Sequence, residues 1–255
     1  MTSPLDCSIK LDMESGNLLD NPSNYRKLVG KLNFLVHTRP DIAFAVQLLS
    51  QFMAFPRDNH MTAAIHVLKY LAKDVSQGIL LNNKSSFQLE GFCDADWAAC
   101  PQTRRSVSGY IVFLGGSLIS WKSKKQQTVS LSSAEAEYRS LRRLTAELAW
   151  LSRLLKELEV PNIQAIPVKC DSQAAIHIAK NPVFHERTKH IDLDCHFVRE
   201  KLLEGLISLS YVPTKQQPAD FFTKSLSGPQ HKQLQDKLGL YFTPSNLRGG
   251  GGVRI

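Results

Sequence analysis

Apolar residues recur at helical spacing in the first third of the chain. Tyr25, Leu28, Val29, Leu32, Leu35 and Val36 fall on one stripe and predict a helix that Pro40 ends or interrupts. Two further helices follow over 42–53 and 60–71, with Pro56 and Gly78 as punctuation. From Phe87 the pattern changes. Compact apolar runs predict strands over 87–93, 107–114 and 117–121, and Gly115-Gly116 between the last two reads as a tight hairpin. Tyr138, Leu141, Leu144, Leu148, Leu151 and Leu155 then form the apolar face of a long helix over 133–158, stopped by Pro161. A strand over 166–170 leads into a helix over 172–179 that Asn181-Pro182 ends. A helix over 193–203, a strand over 206–212, a short helix opened by Pro218 and a helix over 230–238 complete the pattern. The later part thus reads β-β-β-α-β-α-α-β-α, an α/β arrangement with a mixed sheet and helices on its faces. Residues 1–23, rich in Ser, Asn, Asp and Pro, predict a flexible lead-in, and the four glycines Gly249 to Gly252 predict a disordered tail.

Length and composition narrow the class. The 255 residues suffice for one large or two small domains. A net charge of +8 suits a polyanionic partner, which bears on attraction and not on fold. Five scattered cysteines, never in a C-x-x-C pair, argue against a disulfide framework and a zinc ribbon and fit a reducing compartment. No apolar run approaches the ~20 residues that cross a bilayer, so no membrane association is expected. The polar, acidic start is unlike a signal peptide. Phosphate-loop, dinucleotide-binding and nucleophile-elbow motifs are absent.

What remains is a set of acids. Asp94 ends the strand run Gly91-Phe92-Cys93, with Asp96 two residues on as its rival. Glu135 and Glu137 open the long helix, about 200° apart around its axis, so they cannot easily serve one metal; the apolar stripe lies between them and periodicity does not choose. Asp171 stands at a strand-to-helix junction, and Asp220 opens a late helix. Each has an ordinary explanation. Asp94 suits a turn, Glu135 fits a capping box with Ser132, Asp171 is well placed as an N-cap, and Asp220 is favoured by a helix dipole. Together they lie where open α/β sheets gather their ligands, and hard divalent ions are held by carboxylates of this kind. Histidines at 177, 185, 190 and 196 form no H-x₃-H pair that would suggest zinc.

Several segments resemble known sequences. Tyr25 to Leu32 and Thr38-Arg39-Pro40-Asp41-Ile42 resemble the end of the reverse transcriptase region of copia-type retrotransposon Pol polyproteins. Cys93-Asp94-Ala95-Asp96-Trp97-Ala98, Ser132 to Tyr138, Cys170-Asp171-Ser172-Gln173-Ala174-Ala175, Thr188 to Asp192 and Ala219 to Lys224 resemble the ribonuclease H region of the same polyproteins. The likeness covers roughly residues 24–240, with the motifs in the family's order.

The resemblance implies a ribonuclease H-like fold, with a five-stranded mixed sheet in the order 3-2-1-4-5. It implies hydrolysis of the RNA strand of RNA/DNA hybrids with two Mg²⁺ ions, or Mn²⁺ in their place. It makes Asp94, Glu135, Asp171 and Asp220 the metal-binding, catalytic acids, with Asp192 and Asp194 as rivals to Asp220. Arg104, Arg105, Lys124, Lys125, Arg187, Lys189 and His190 are the expected phosphate contacts. The expected organisation is a lead-in over 1–23, a helical remnant of a reverse transcriptase thumb or connection over 24–82, the ribonuclease H-like domain over 83–226, and a helix with tail over 227–255. An upstream reverse transcriptase domain is the expected partner. The setting would be intracellular: the cytoplasm, a virus-like particle or the nucleus. Two departures stand out. The segment Pro213 to Gln217 lacks the histidine that many ribonucleases H carry there, and no Tyr-x-Asp-Asp polymerase motif occurs. A nucleic-acid-binding fragment without turnover is the alternative reading.

Overall fold

A computed structural model describes residues 1–83, 87–160, 165–181 and 192–242. The chain divides into two compact units: Met1–Leu80 with Ser225–Ile255, and Leu81–Lys224.

The first unit contains α1 (Ser23–Leu35), α2 (Ala43–Leu49), α3 (Asp58–Lys73) and a short strand β1 (Gln77–Ile79). Its core gathers Tyr25, Val29 and Leu32 from the stripe that helical spacing aligned, with Ile42, Val46, Leu49 and Val67, while Leu35 of that stripe is exposed. Three expectations change here. The segment 1–23 is not a loose lead-in. Leu5 and Leu11 are buried in this core, and α3 holds the intervening backbone. Arg57 donates to the carbonyls of Met13 at 2.8 Å and Gly16 at 2.6 Å, and Asn17 N–H donates to Asp58 at 3.1 Å. Two leucines among polar residues are too sparse to show a period, yet each removes apolar area from water. Nor is the unit all helix. The strand β1 pairs antiparallel with a strand at residues 240–242, Gln77 opposite Phe242. That pairing joins the C-terminal segment to this unit, instead of leaving it as a separate helix and tail. Residues 249–252 lie outside the described residues.

The second unit is the sheet. Strands β2 (Leu89–Asp96), β3 (Val107–Leu114) and β4 (Ser117–Lys125) form an antiparallel meander. Gly115 and Gly116, at φ +57° and +82°, make the tight turn between β3 and β4 that only positive φ allows. The helix α4 (Ser133–Glu157) follows, then β5 (Ile166–Cys170), α5 (Gln173–Lys180), α6 (Asp192–Leu203) and β6 (Ile207–Tyr211). The C-terminal segment of the first unit then adds α7 (Gly228–Lys237) and β7 (Leu240–Phe242). The order β4-β3-β2-β5-β6, with β5 and β6 parallel to β2, is the order the resemblance implied.

On one face of the sheet Tyr138, Leu141, Leu144 and Leu148 of α4 bury against Leu89, Cys93, Val112 and Val168. At about 25 cal/mol per Å² such burial is the main stabilising term of the layer. The strand β2 is longer than its apolar run. It stays paired with β3 up to Asp96 opposite Val107, so Asp94 and Asp96 belong to the strand and not to a turn after it. The strand β4 likewise continues through Lys122, Lys124 and Lys125, because β3 pairs with it to that point. Backbone hydrogen bonding extended both strands past the residues whose side chains signal burial.

Candidate active site

Pairing sets which end of the sheet carries the chemistry. The strands β2 and β5 run parallel and their last paired residues are Cys93 and Cys170. Asp94 and Asp171 are the next residues, side by side where the two strands part. This is the divergence at which parallel sheets open a crevice. The loop from β2 to β3, the end of β4 and the N-terminus of α4 lie at the same end, since β2 is antiparallel to β3 and β3 to β4.

Asp94 is 4% exposed and opposite Gly109 of β3. Thr223 donates its hydroxyl to Asp94 Oδ2. Burial pushes the Asp94 carboxyl up to about 6, helped by the negative charge of Asp220. Asp220 sits in a 3₁₀ turn over Pro218–Phe222. Gln217 anchors that turn beneath the strand: its amide donates to the carbonyl of Cys93 at 2.8 Å, and its oxygen accepts from Ala219 N at 3.2 Å. Burial raises the Asp220 carboxyl as well, opposed by Lys224, whose Nζ stands 3.0 Å from Asp220 Oδ1. Asp171 is raised by burial and then by Asp94, while a hydrogen bond from Thr214 opposes the rise. Ser172, not Asp171, caps α5 by accepting from Ala175 N at 3.2 Å, which leaves the Asp171 carboxylate to face the other acids.

The helix contributes Glu137. Its Oε1 accepts from Ala95 N at 3.0 Å, and the thiol of Cys170 lies 3.8 Å from its Oε2. Burial, then Asp94, Cys170 and Asp171, push its carboxyl up to about 11. Oxygens of Glu137 and Asp171 and the sulfur of Cys170 lie within 4.8 Å of one another. A hard ion would take the oxygens, and the thiol then serves as a donor to Glu137.

Glu135 has other contacts. Arg139 pairs with it at 2.7 Å, and it accepts from Leu131 N at 2.8 Å, while Ser132 accepts from Glu135 N at 3.2 Å. It secures the start of α4, much as its capping role suggested. The two glutamates are separated by the stripe itself. Glu137, Leu141, Leu144, Leu148, Leu151 and Leu155 follow at alternating spacings of four and three, so Glu137 continues the sheet-facing row and Glu135 does not. That spacing is legible in the sequence, although a row that starts at Tyr138 does not reach Glu137.

Of the other expected residues, Asp194 pairs with Arg142 at 3.3 Å, away from the four acids' described contacts, and the side chain of Asp192 lies outside the described residues. Asp96 is half-buried and raised by burial, with Lys224 opposing. Arg104, at φ +52°, and Arg105 are exposed on the β2–β3 loop, at the acids' end of the sheet. Lys124 is exposed there too, and Lys125 Nζ contacts Cys100 Sγ at 2.8 Å. Arg187, Lys189 and His190 lie outside the described residues. Thr214, Gln217, Thr223 and Lys224 were not singled out as site residues, since no local pattern marks a side chain that works by reaching another strand.

No protein-family model matches the chain. The chain is 42% identical, over its full 255 residues, to the retrovirus-related Pol polyprotein from transposon RE2 of Arabidopsis thaliana. It is 41% identical over 244 residues, 96% of the chain, to that from transposon RE1 of the same plant. It spans only 17% of the length of each. Among solved structures it is similar to LC11-RNase H1 in complex with RNA/DNA hybrid, at 13% identity and a TM-score of 0.41, over 53% of this chain and 94% of that one.

Proposed function

The chain belongs to the retrovirus-related Pol polyproteins of copia-type transposons, and from that premise we propose that its second unit is a metal-dependent ribonuclease H acting on RNA/DNA hybrids. The observation that carries the reading is the meeting of Asp94, Glu137, Asp171 and Asp220, drawn from four separate elements, at one end of the sheet. Buried carboxylates that raise one another's pKa are costly to assemble unless a cation compensates them.

The donor set fits Mg²⁺ or Mn²⁺: all four are oxygen ligands, and Asp220 Oδ1 already attracts a cation, with Lys224 Nζ 3.0 Å away. Asp94 and Asp171 would be shared ligands, with Glu137 on one side and Asp220 on the other. When bound, the ions activate a water and stabilise the leaving oxygen of the phosphodiester. The protein's own part is placement. Thr223 orients Asp94, Thr214 orients Asp171, the Ala95 N–H holds Glu137, and Gln217 fixes the turn that bears Asp220. Arg104, Arg105 and Lys124 stand at the same end, where they would meet the phosphates of a hybrid. Discrimination would rest on the 2′-hydroxyls and groove shape. The reverse transcriptase domain of a longer polyprotein would deliver the hybrid, with the first unit as the connection between them.

A labelled RNA/DNA hybrid incubated with the full chain tests the reading. RNA fragments should form with Mg²⁺ and not in EDTA, and hybrid affinity should fall steeply with salt, as counterion release requires. Hybrid binding with no cleavage in Mg²⁺ or Mn²⁺ would favour the inactive binding fragment instead. A salt-independent affinity would remove the phosphate role of the basic residues.

A further inference from the structure

Within the second unit, the acids already carry a cation of their own. Thr223 and Lys224 follow the 3₁₀ turn that bears Asp220 and turn back toward β2. The hydroxyl of Thr223 holds Asp94, and Lys224 Nζ stands 3.0 Å from Asp220 Oδ1. The ammonium is held by the opposite charge of Asp220 and by hydrogen bonding to it. It is half-buried, its side chain 38% exposed against 14% for Asp220. Its charge acts on Asp94, Asp96, Asp171 and Asp220 together. The main electrostatic neighbours of Glu137 are Asp94, Cys170 and Asp171, and Lys224 is not among them.

Resting on the metal-dependent reading above, we propose that Lys224 is a tethered competitor for the second divalent ion. Among the described residues, no ammonium or guanidinium is paired with Glu137 or Asp171, so an ion among Asp94, Glu137 and Asp171 displaces none of them, although Lys224 reaches Asp94 and Asp171 by its charge. An ion against Asp94 and Asp220 must move the ammonium aside, and a flexible four-carbon stem lets it move without unfolding the turn. The site therefore fills in two steps, the second weak until substrate phosphates draw Lys224 outward. Lys224 is thus a positioning residue that sets how many ions the protein holds without substrate.

The test is Mn²⁺ binding to the full chain, read as free ion by electron paramagnetic resonance. Wild type should bind one ion tightly and a second much more weakly. Lys224→Met should tighten the second by about tenfold or more, as expected for removing a unit charge a few ångströms away, and change the first less. Lys224→Arg, which keeps the charge, should leave the second site weak. An unchanged second affinity in Lys224→Met, with two ions still bound, overturns this proposal alone. No Mn²⁺ bound by wild type or variant at millimolar concentration overturns the metal-dependent reading, and this proposal with it.

Discussion

Replacing Asp94 by Asn should stabilise the metal-free protein and cost it stability, relative to wild type, once Mg²⁺ is present. The side chain is buried, and burial with the charge of Asp220 lifts its carboxyl from 3.8 to about 6. At about 1.4 kcal/mol per pH unit, keeping that carboxylate ionised costs the fold about 3 kcal/mol. The sign follows from the direction of the shift. A raised pKa means the folded state holds its proton longer. The cost is absent below the unfolded value of 3.8, grows up to about 6, and is constant above that. Asparagine carries no charge to bury, and its amide oxygen can still accept the Thr223 hydroxyl. The expected gain is about 1–3 kcal/mol at pH near 7.5 in EDTA, vanishing at pH near 3.5. With Mg²⁺ the order reverses, because a ligand that binds only the folded state stabilises the protein that can bind it. Urea unfolding of both proteins at the two pH values, with and without Mg²⁺, measures all four differences. A gain that is the same at both pH values, or a less stable mutant in EDTA at pH near 7.5, would refute the reasoning.

Three further outcomes are expected. Glu137→Gln should lower hybrid cleavage by about a thousandfold or more, whereas Glu135→Gln should leave it within about tenfold and cost about 1 kcal/mol of stability through the start of α4; the reverse pattern in a cleavage assay would return the site to Glu135. Gly109→Ala should depress cleavage without removing any acid. A Cβ there would lie 2.8 Å from Phe222 Cβ and 3.0 Å from the carbonyl of Ala219, so the Asp220 turn must shift, at a cost of about 1–3 kcal/mol; wild-type rates would show that the turn's position does not matter. Leu11→Ala should destabilise the protein by about 2 kcal/mol or more, and an unchanged melting temperature would restore segment 1–23 as a loose lead-in.

Local order determined much of this molecule. The helical stripes of α1 and α4, the Gly115-Gly116 hairpin and the alternation of strands with helices were legible because each is a short-range pattern of burial or backbone freedom. Asp94, Asp171 and Asp220 were legible as candidates because of their places at strand ends and a helix start. The four-and-three row that ends on Glu137 is written in the sequence, but only the tertiary structure showed that this face of α4 turns to β2, where Glu137 and not Glu135 meets the other acids. Only pairing extended β2 through Asp96 and β4 through Lys125, since a ladder partner can hold polar residues in a strand. Leu5, Leu11 and the β1–β7 pair were invisible for the same reason, as their partners lie far away in sequence. Thr214, Gln217, Thr223 and Lys224 owe their roles to side chains reaching across the fold. A sequence states what each residue can donate, accept or bury, while the folded chain alone states to whom.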